Sequence, residues 1–445
     1  MTQKKVIIVG LGPAGLFAAK ELIEHGFTVT VLEKGKGLKE RTKKDLLFGV
    51  GGAGLFSDGK LCFNPFIGGD LTEFVNLEGA NSLIQEVHNT FKNYGMNNGY
   101  AHKNLEDLHN LRDESAKCGI RFVEIMQKHI GSDYLVNIVD NFCQDLIKKG
   151  VEIQTETEVL DVVVGNNQIK ELVTNTGLVS SDYYLFCVGR YSSVWFNKIA
   201  QKIDLETQHR YTDIGVRIET LHSITKTVTD IQYDPKFHIY TNTYDDFIRT
   251  FCTNPEGFVV TETYEKFVNV NGHAMKDKKS TNTNFAFLVR VKLTEPIEDT
   301  TSYANLIGKL ANFLGGGKPI LQRLGDLKKG RRSTWQKIEK NLVQPTLNDV
   351  TPGDISLLLP HRIVTDIVEG LEKLDKIIPG INSDSTLIYA PEIKLCALRI
   401  VCNKDMKTKS FENLFVAGDG AGVSGSIVAA ASTGLIAARG IIKRK

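Results

Sequence analysis

The chain has 445 residues, enough for two domains with separate cores. Its 54 basic and 52 acidic residues leave a formal net charge of +2, which argues against a nucleic-acid footprint or a polybasic membrane patch. Seven cysteines, without a C-x-x-C pair, argue against a disulfide framework and a zinc site, and for a reducing, cytoplasmic setting.

Lys5 to Val9, KVIIV, predicts a short buried parallel strand. Gly10-Leu-Gly12-Pro13-Ala14-Gly15 follows, then a helical pattern that ends at Gly26. Thr28 to Leu32 predicts a second strand, closed by Glu33 and Lys34. This is β-turn-α-β with G-x-G-x-x-G at the first turn. Gly10 suits the tight turn, Gly12 a close approach to pyrophosphate, and Gly15 the packing of helix on strand. Glu33 stands where a carboxylate can accept hydrogen bonds from ribose hydroxyls, so a 2′-phosphate is disfavoured and the choice is FAD or NAD. Arg41 is placed to neutralise pyrophosphate charge.

Gly54-Leu-Phe-Ser57-Asp-Gly59-Lys60-Leu61 matches the phosphate-binding pattern G-x-x-x-x-G-K-[ST] except at its last residue. Leu61 replaces the hydroxyl that would hold magnesium, and no convincing strand precedes Gly54. ATP binding here is not expected.

Helical patterns fill 82–94, 104–118 and 133–149, the last opening at the N-cap pair Ser132-Asp133. Residues 201–344 carry β-type stretches such as GVRIET, KFHIYTNTY and NFAFLVRVKL, so they read as a strand-rich substrate domain. Arg217 and Glu219 alternate on one of these strands and share a face. They bind a substrate carboxylate or form a structural ion pair. Arg249 is a second candidate for substrate binding. Cys252, three residues on, is either a thiol activated by a neighbouring cation or a small buried residue. His273 in VNGHA is either a proton donor or a loop histidine. His129, Ser57 and Lys60 are weaker candidates for an approach to a cofactor ring. Gly315 to Pro319 and Gly330-Arg-Arg read as loops, and Leu358 to Pro379 as a helix leading back to the first domain. Gly420 to Ala438 carries no charge, but its Gly, Ala and Ser content reads as a buried helix rather than a membrane span.

Three segments carry a resemblance. Asn413-Leu-Phe-Val-Ala-Gly418-Asp419, with the helical run from Gly425, Ser426 and Ile427, resembles the second FAD motif of glutathione-reductase-like flavoproteins. Tyr184 to Gly189 resembles the strand-then-Gly segment of the same superfamily, and Gly150 to Val159 the strand whose backbone contacts adenine. GVGGAGLFSDGKL, IGVRIE, RTFCTNPEGFVV, VNGHA, STNTNFAFLV and VAGDGAGVSGSIVAAASTG occur in the same order in a closer set. Over nearly its whole length the chain resembles the largely uncharacterised FAD-dependent dehydrogenases of bacteria and archaea.

The resemblance implies FAD. It assigns Asp419 to the ribityl chain, the N-terminus of the last helix to the flavin pyrimidine, and Gly51, Gly52, Ala53 and Gly54 to the pyrophosphate and ring edge. The implied fold is α/β. A discontinuous Rossmann-like FAD-binding domain spans 1–200 and 345–445, and a strand-rich α+β cover domain spans 201–344. Only one complete dinucleotide fingerprint is present, so NAD(P)H, if it is the reductant, docks transiently. The implied activity is a dehydrogenase or reductase acting on a small organic substrate with an external electron donor or acceptor. A flavin monooxygenase or oxidase, or a non-catalytic redox sensor, is the alternative.

Overall fold

The computed structural model describes residues 3–42, 45, 47–56, 59–96, 104–130, 132–264, 267–275, 278–295, 298–394 and 398–445. Ser57 and Cys396 lie outside them, and so do the side chains of His129, Ser132 and Asp133. The chain divides into two units. The first takes residues 1–99, 128–209 and 397–445; the second takes 100–127 and 210–396.

The first unit is built on a five-stranded sheet in the order Leu414–Val416, Tyr183–Phe186, Lys5–Val9, Thr28–Leu32, Glu152–Gln154. All four pairings are parallel. The three strands Lys5–Val9, Tyr183–Phe186 and Leu414–Val416 read as near-continuous apolar runs because both their faces are covered. Helix Pro13–Glu24 packs against helix Ile427–Ile442. The two backbones come close at Gly434, where a Cβ would sit 2.2 Å from the Ala14 carbonyl oxygen. The uncharged run singled out above thus leads, from Ile427 on, into a buried helix, Ile427–Ile442, with thirteen of its sixteen residues buried. Among the described residues no helix is long and apolar enough to cross a membrane. A second, antiparallel sheet joins Val159–Gly165, Gln168–Thr174 and Gly177–Val179.

The second unit is built on an eight-stranded sheet in the order Thr351–Pro352, Ile320–Arg323, Leu387–Lys394, Thr212–Leu221, Asn282–Val291, Phe247–Asn254, Lys236–Tyr240, Ile120–Val123. Alternation gives this sheet two unlike faces. Ile214, Val216, Ile218, Phe285, Phe287, Val289 and Ile248 form an apolar core with Ile363, Ile367 and Leu371 of helix His361–Leu374, and with Ile307 and Ala311 of helix Thr300–Gly315. The other face carries Asp213, Arg217, Glu219, Asn284, Arg290 and Glu392. A hairpin, Phe258–Thr263 with Val268–His273, belongs to the same unit.

The boundaries differ from those expected. Residues 345–396 fall in the second unit, because Leu387–Lys394 is a central strand there, paired with Thr212–Leu221 on one side and Ile320–Arg323 on the other. Residues 104–127 join it as well, because Ile120–Val123 pairs with Lys236–Tyr240.

Candidate functional site

In the first unit the turns that carry the sequence motifs all follow the carboxyl ends of parallel strands. Gly10 follows Lys5–Val9, Glu33 follows Thr28–Leu32, Gly189 lies just beyond Tyr183–Phe186, and Gly418 just beyond Leu414–Val416. The first strand has neighbours on both sides, one following it in sequence and the other returning from far along the chain. This is a topological switch point, where open α/β sheets bind ligands in the crevice beyond the strand ends.

The glycines here answer to different constraints. Gly10 has φ +99°, and a Cβ would lie 2.7 Å from the Cys187 carbonyl oxygen, so the protein itself requires a glycine. A Cβ on Gly15 would lie 2.1 Å from the Gly10 carbonyl oxygen. Gly12 is unlike both. Its backbone (φ −80°, ψ −170°) is open to any residue, and a Cβ would meet only the Gly52 Cα, at 3.8 Å. Neither backbone nor packing accounts for glycine there. Gly12 is the N-cap of helix Pro13–Glu24, with Pro13 at its first turn and no side chain capping it. The uncapped N–H groups and the helix dipole then face the same space, which suits a phosphate.

Glu33 and Arg41 are both buried, and both are engaged by the protein backbone. The Glu33 carboxylate accepts from Leu11 N–H at 2.8 Å, Gly35 N–H at 2.9 Å and Gly49 N–H at 3.1 Å. Its remaining acceptor capacity is what a ribose hydroxyl could use. The Arg41 guanidinium donates to the carbonyls of Val50 (2.6 Å), Gly52 (3.0 Å), Gly49 (3.3 Å) and Asp45 (2.8 Å). Burial lowers it to about 10, with Glu33 and Asp45 acting in the opposite sense. Arg41 thus braces the glycine-rich segment, where sequence reading expected it to meet the pyrophosphate. Lys34 lies over the rings of Phe48 (4.9 Å) and Tyr191 (4.6 Å).

The segment from Gly51 to Gly54 meets the first turn. Gly51 N–H donates to the Leu11 carbonyl at 2.8 Å, and a Cβ on Gly52 would lie 3.1 Å from the Gly12 Cα. Ala53–Phe56 is a single 3₁₀ turn, and a Cβ on Gly54 would strike Ile427 at 2.8 Å. Lys60 opens the strand Lys60–Phe63 rather than a helix, so the near-match to the ATP motif lacks the strand-loop-helix geometry that motif needs.

Asp419 follows Gly418 and accepts from Ser424 Oγ at 2.6 Å and from Arg190 Nη2 at 3.3 Å. A Cβ on Gly189, beside Arg190, would meet nothing within 4 Å. Ser426 caps helix Ile427–Ile442 by accepting from Ala429 N–H at 3.2 Å. A Cβ on Gly425 would be 3.9 Å from the Arg190 guanidinium. Val159 is buried and pairs with Thr174 in the small antiparallel sheet. Sequence reasoning missed Ser424, and it missed the Phe48 and Tyr191 rings around Lys34. Only the fold brings these residues to the motif positions.

The second unit decides between the two readings of Arg217 in favour of the ion pair and against substrate binding. Arg217 is fully buried and makes a two-pronged pair with Glu392, Nε to Oε2 and Nη2 to Oε1, each at 2.7 Å. It also donates to Asn284 Oδ1 at 2.8 Å and to the Cys252 carbonyl at 3.3 Å. Burial opposes its charge, but Glu392 and Cys252 hold its pKa above the usual arginine value. It is a structural ion pair, and not with Glu219. Glu219 accepts from Tyr389, Thr346 and Asn282, and burial raises its pKa against these hydrogen bonds.

Arg249 is a quarter exposed and donates to Asp213 Oδ2 through Nε (3.0 Å) and Nη2 (2.6 Å). Cys252 sits in a bulge between Phe251 and Asn254 with φ +48°, a costly conformation for a residue with a Cβ. Asn254 Nδ2 lies 2.8 Å from its carbonyl and 3.7 Å from its sulfur. His273 ends the hairpin, opposite Phe258. The adjacent Gly272 lies against Arg217, Asn254 and Asn284, where a Cβ would have atoms at 2.1–2.4 Å. Cys252 and the hairpin end thus share one polar cluster.

Three family models match the chain: an FAD-binding domain over residues 3–47, the C-terminal domain of FAD-dependent proteins over 212–394, and the glucose inhibited division protein A over 348–444. An uncharacterised protein of Clostridium beijerinckii is 25% identical over 485 residues, covering 99% of this chain and 81% of its own. Among solved structures, glycine oxidase from Bacillus cereus is 13% identical, with 99% and 95% of the two chains covered and a TM-score of 0.40. L-proline dehydrogenase from P. horikoshii is 14% identical, with 100% and 94% covered and a TM-score of 0.41. The FAD-binding model covers the Gly12 turn, the second model is likewise one of FAD-dependent proteins, and FAD is the cofactor of this chain.

Proposed function

We propose that this FAD-dependent protein is an oxidoreductase, a dehydrogenase or reductase that moves hydride or electrons between FAD and a small organic substrate. The observation that carries the reading is the crevice at the switch point of the parallel sheet. There, Gly12 has room for a Cβ that the protein does not fill.

FAD, when bound, supplies the hydride and electron chemistry. The chain's residues supply the rest. The uncapped N-terminus of helix Pro13–Glu24 holds the pyrophosphate by N–H groups and dipole. Glu33 fixes three backbone amides and offers its spare lone pair to a ribose hydroxyl. Gly51, Gly52, Ala53 and Gly54, braced by Arg41, form the second wall. Asp419, oriented by Ser424 and Arg190, takes the ribityl hydroxyls, and Gly425, Ser426 and Ile427 border the ring end. Cys252 and His273 are the side chains we assign to proton handling. A cytoplasmic setting accords with the odd number of cysteines in the sequence.

The reading is tested by anaerobic titration of the FAD-loaded protein with a panel of reductants and small organic acids, alcohols and amines, followed by flavin absorbance. Bleaching by at least one donor and recovery with an acceptor are expected. A fully loaded protein whose flavin bleaches but which turns over no substrate would count for the non-catalytic redox-sensor alternative.

A further inference from the structure

On the polar face of the second unit's sheet, four adjacent strands present cations around a patch of rings. Asp213 and Arg290 are direct cross-strand partners, as are His238 and Arg249, and His238 and Arg121. Arg290 lies over Tyr211 at 3.7 Å and Phe247 at 4.5 Å, and Arg249 over Phe251 at 4.8 Å. Lys236 lies over the same Phe251 ring at 4.9 Å. The carboxylates here are Asp213, which takes Arg249 and Arg290 (3.4 Å), and Asp234, which takes Lys236 (2.6 Å). On the same face, Lys394 shares Glu392 (2.9 Å) with Arg217. Arg121, Lys236, Arg249 and Arg290 thus outnumber Asp213 and Asp234 by two charges. Arg249 and Arg290 remain about a quarter exposed, while Asp213 beneath them is 2% exposed.

We propose that this face binds the carboxylate of an organic acid, held by the edges of Arg249 and Arg290, with its apolar part on Phe247 and Phe251. The inference rests on the oxidoreductase reading, whose small organic substrate it assigns to a chemical class. Ring contacts cover guanidinium faces and leave in-plane N–H groups for a planar acceptor. Asp213 already shows that both arginines accept a carboxylate from below. The rings favour an organic acid over inorganic phosphate, which has no apolar part to bury.

His238 is a built-in reporter. Burial first, then Arg249, Arg121, Arg290 and Lys236, push it down to about 4. Its ring is therefore neutral at pH 7. An anion seated among the same cations offsets their repulsion and raises the His238 pKa.

The test is calorimetric titration of FAD-loaded protein with benzoate, acetate and inorganic phosphate, together with NMR of the His238 ring over pH. Benzoate should bind best, and the His238 titration should move upward with benzoate saturation. Arg290→Gln should weaken benzoate about tenfold or more. Arg121→Gln, which touches neither Asp213 nor its partners, should weaken it about threefold and guards against misfolding of the first variant. Phosphate binding tighter than benzoate overturns the proposal, and so does benzoate binding that neither variant changes. Flavin content is read separately. Protein without FAD contradicts the oxidoreductase reading, whereas FAD-loaded protein that ignores benzoate contradicts this inference alone.

Discussion

Gly15 and Glu33 are residues of one motif with separable tasks. A methyl at Gly15 has nowhere to go, because both the helix start and the strand end are backbone. Gly15→Ala should cost about 3 kcal/mol or more through overpacking, visible as a collapse of the thermal midpoint with or without added FAD. Glu33→Gln keeps the shape but turns an amide N–H₂ toward at least one of three backbone N–H donors. The loss should be about 1–3 kcal/mol in chemical denaturation, with weaker FAD retention. An unchanged midpoint for Glu33→Gln would mean that the carboxylate does not organise the turn. The glycine pattern and the acid were legible in the sequence because each is a local geometric demand. The internal engagement of Arg41 was not, since one sequence cannot say whether a cation's partner is a ligand or four carbonyls of its own loop.

Helix His361–Leu374 and strand Leu387–Lys394 show where elements mislead. Sequence reading returned both to the FAD domain, because a buried apolar strand looks alike in either sheet. That assignment hid the partner of Arg217, since Glu392 lies 175 residues away on that strand. Removing one member of this buried pair, as in Arg217→Met, should destabilise by about 3–5 kcal/mol, and the double variant Arg217→Met/Glu392→Met should recover most of the loss. Equal loss in single and double variants would argue against the pair.

The same helix carries Asp366, which accepts from Thr241 Oγ at 2.8 Å and neighbours Asp246. Burial and the Asp246 charge push Asp366 up to about 7, against its Thr241 hydrogen bond. Asp366 thus binds its proton more tightly folded than unfolded, so its contribution is fully present below the unfolded carboxylate value near pH 4. It is lost as pH rises through about 7. The thermal midpoint should fall between pH 5 and 8, and Asp366→Asn should flatten that slope. A slope that survives the substitution would point to other groups.

At the scale of the molecule, motifs spaced along the whole chain announced a discontinuous cofactor unit, and period-two patterning announced a strand-rich second unit. What patterning could not supply was which strands lie side by side. The cationic face of the second sheet is made by cross-strand pairing of residues from distant segments, so Arg217 and Arg249 stood out beforehand but Arg121 and Arg290 did not. The near-match to an ATP motif shows the converse. Its residues are present, but Lys60 begins a strand, so equilibrium dialysis of FAD-loaded protein with Mg-ATP should show no binding. Micromolar affinity abolished by Lys60→Ala would overturn that conclusion.

The central claim is that the switch-point crevice holds FAD across Gly12, and flavin content of purified wild type and Gly12→Val tests it most directly. The turn has space for a Cβ and an unstrained backbone, so the variant should fold with a thermal midpoint close to that of flavin-stripped wild type. Wild type should carry one releasable FAD per chain, and the variant less than about a tenth of that, since its side chain fills the place of the pyrophosphate. Full FAD loading of a folded Gly12→Val protein would contradict the account.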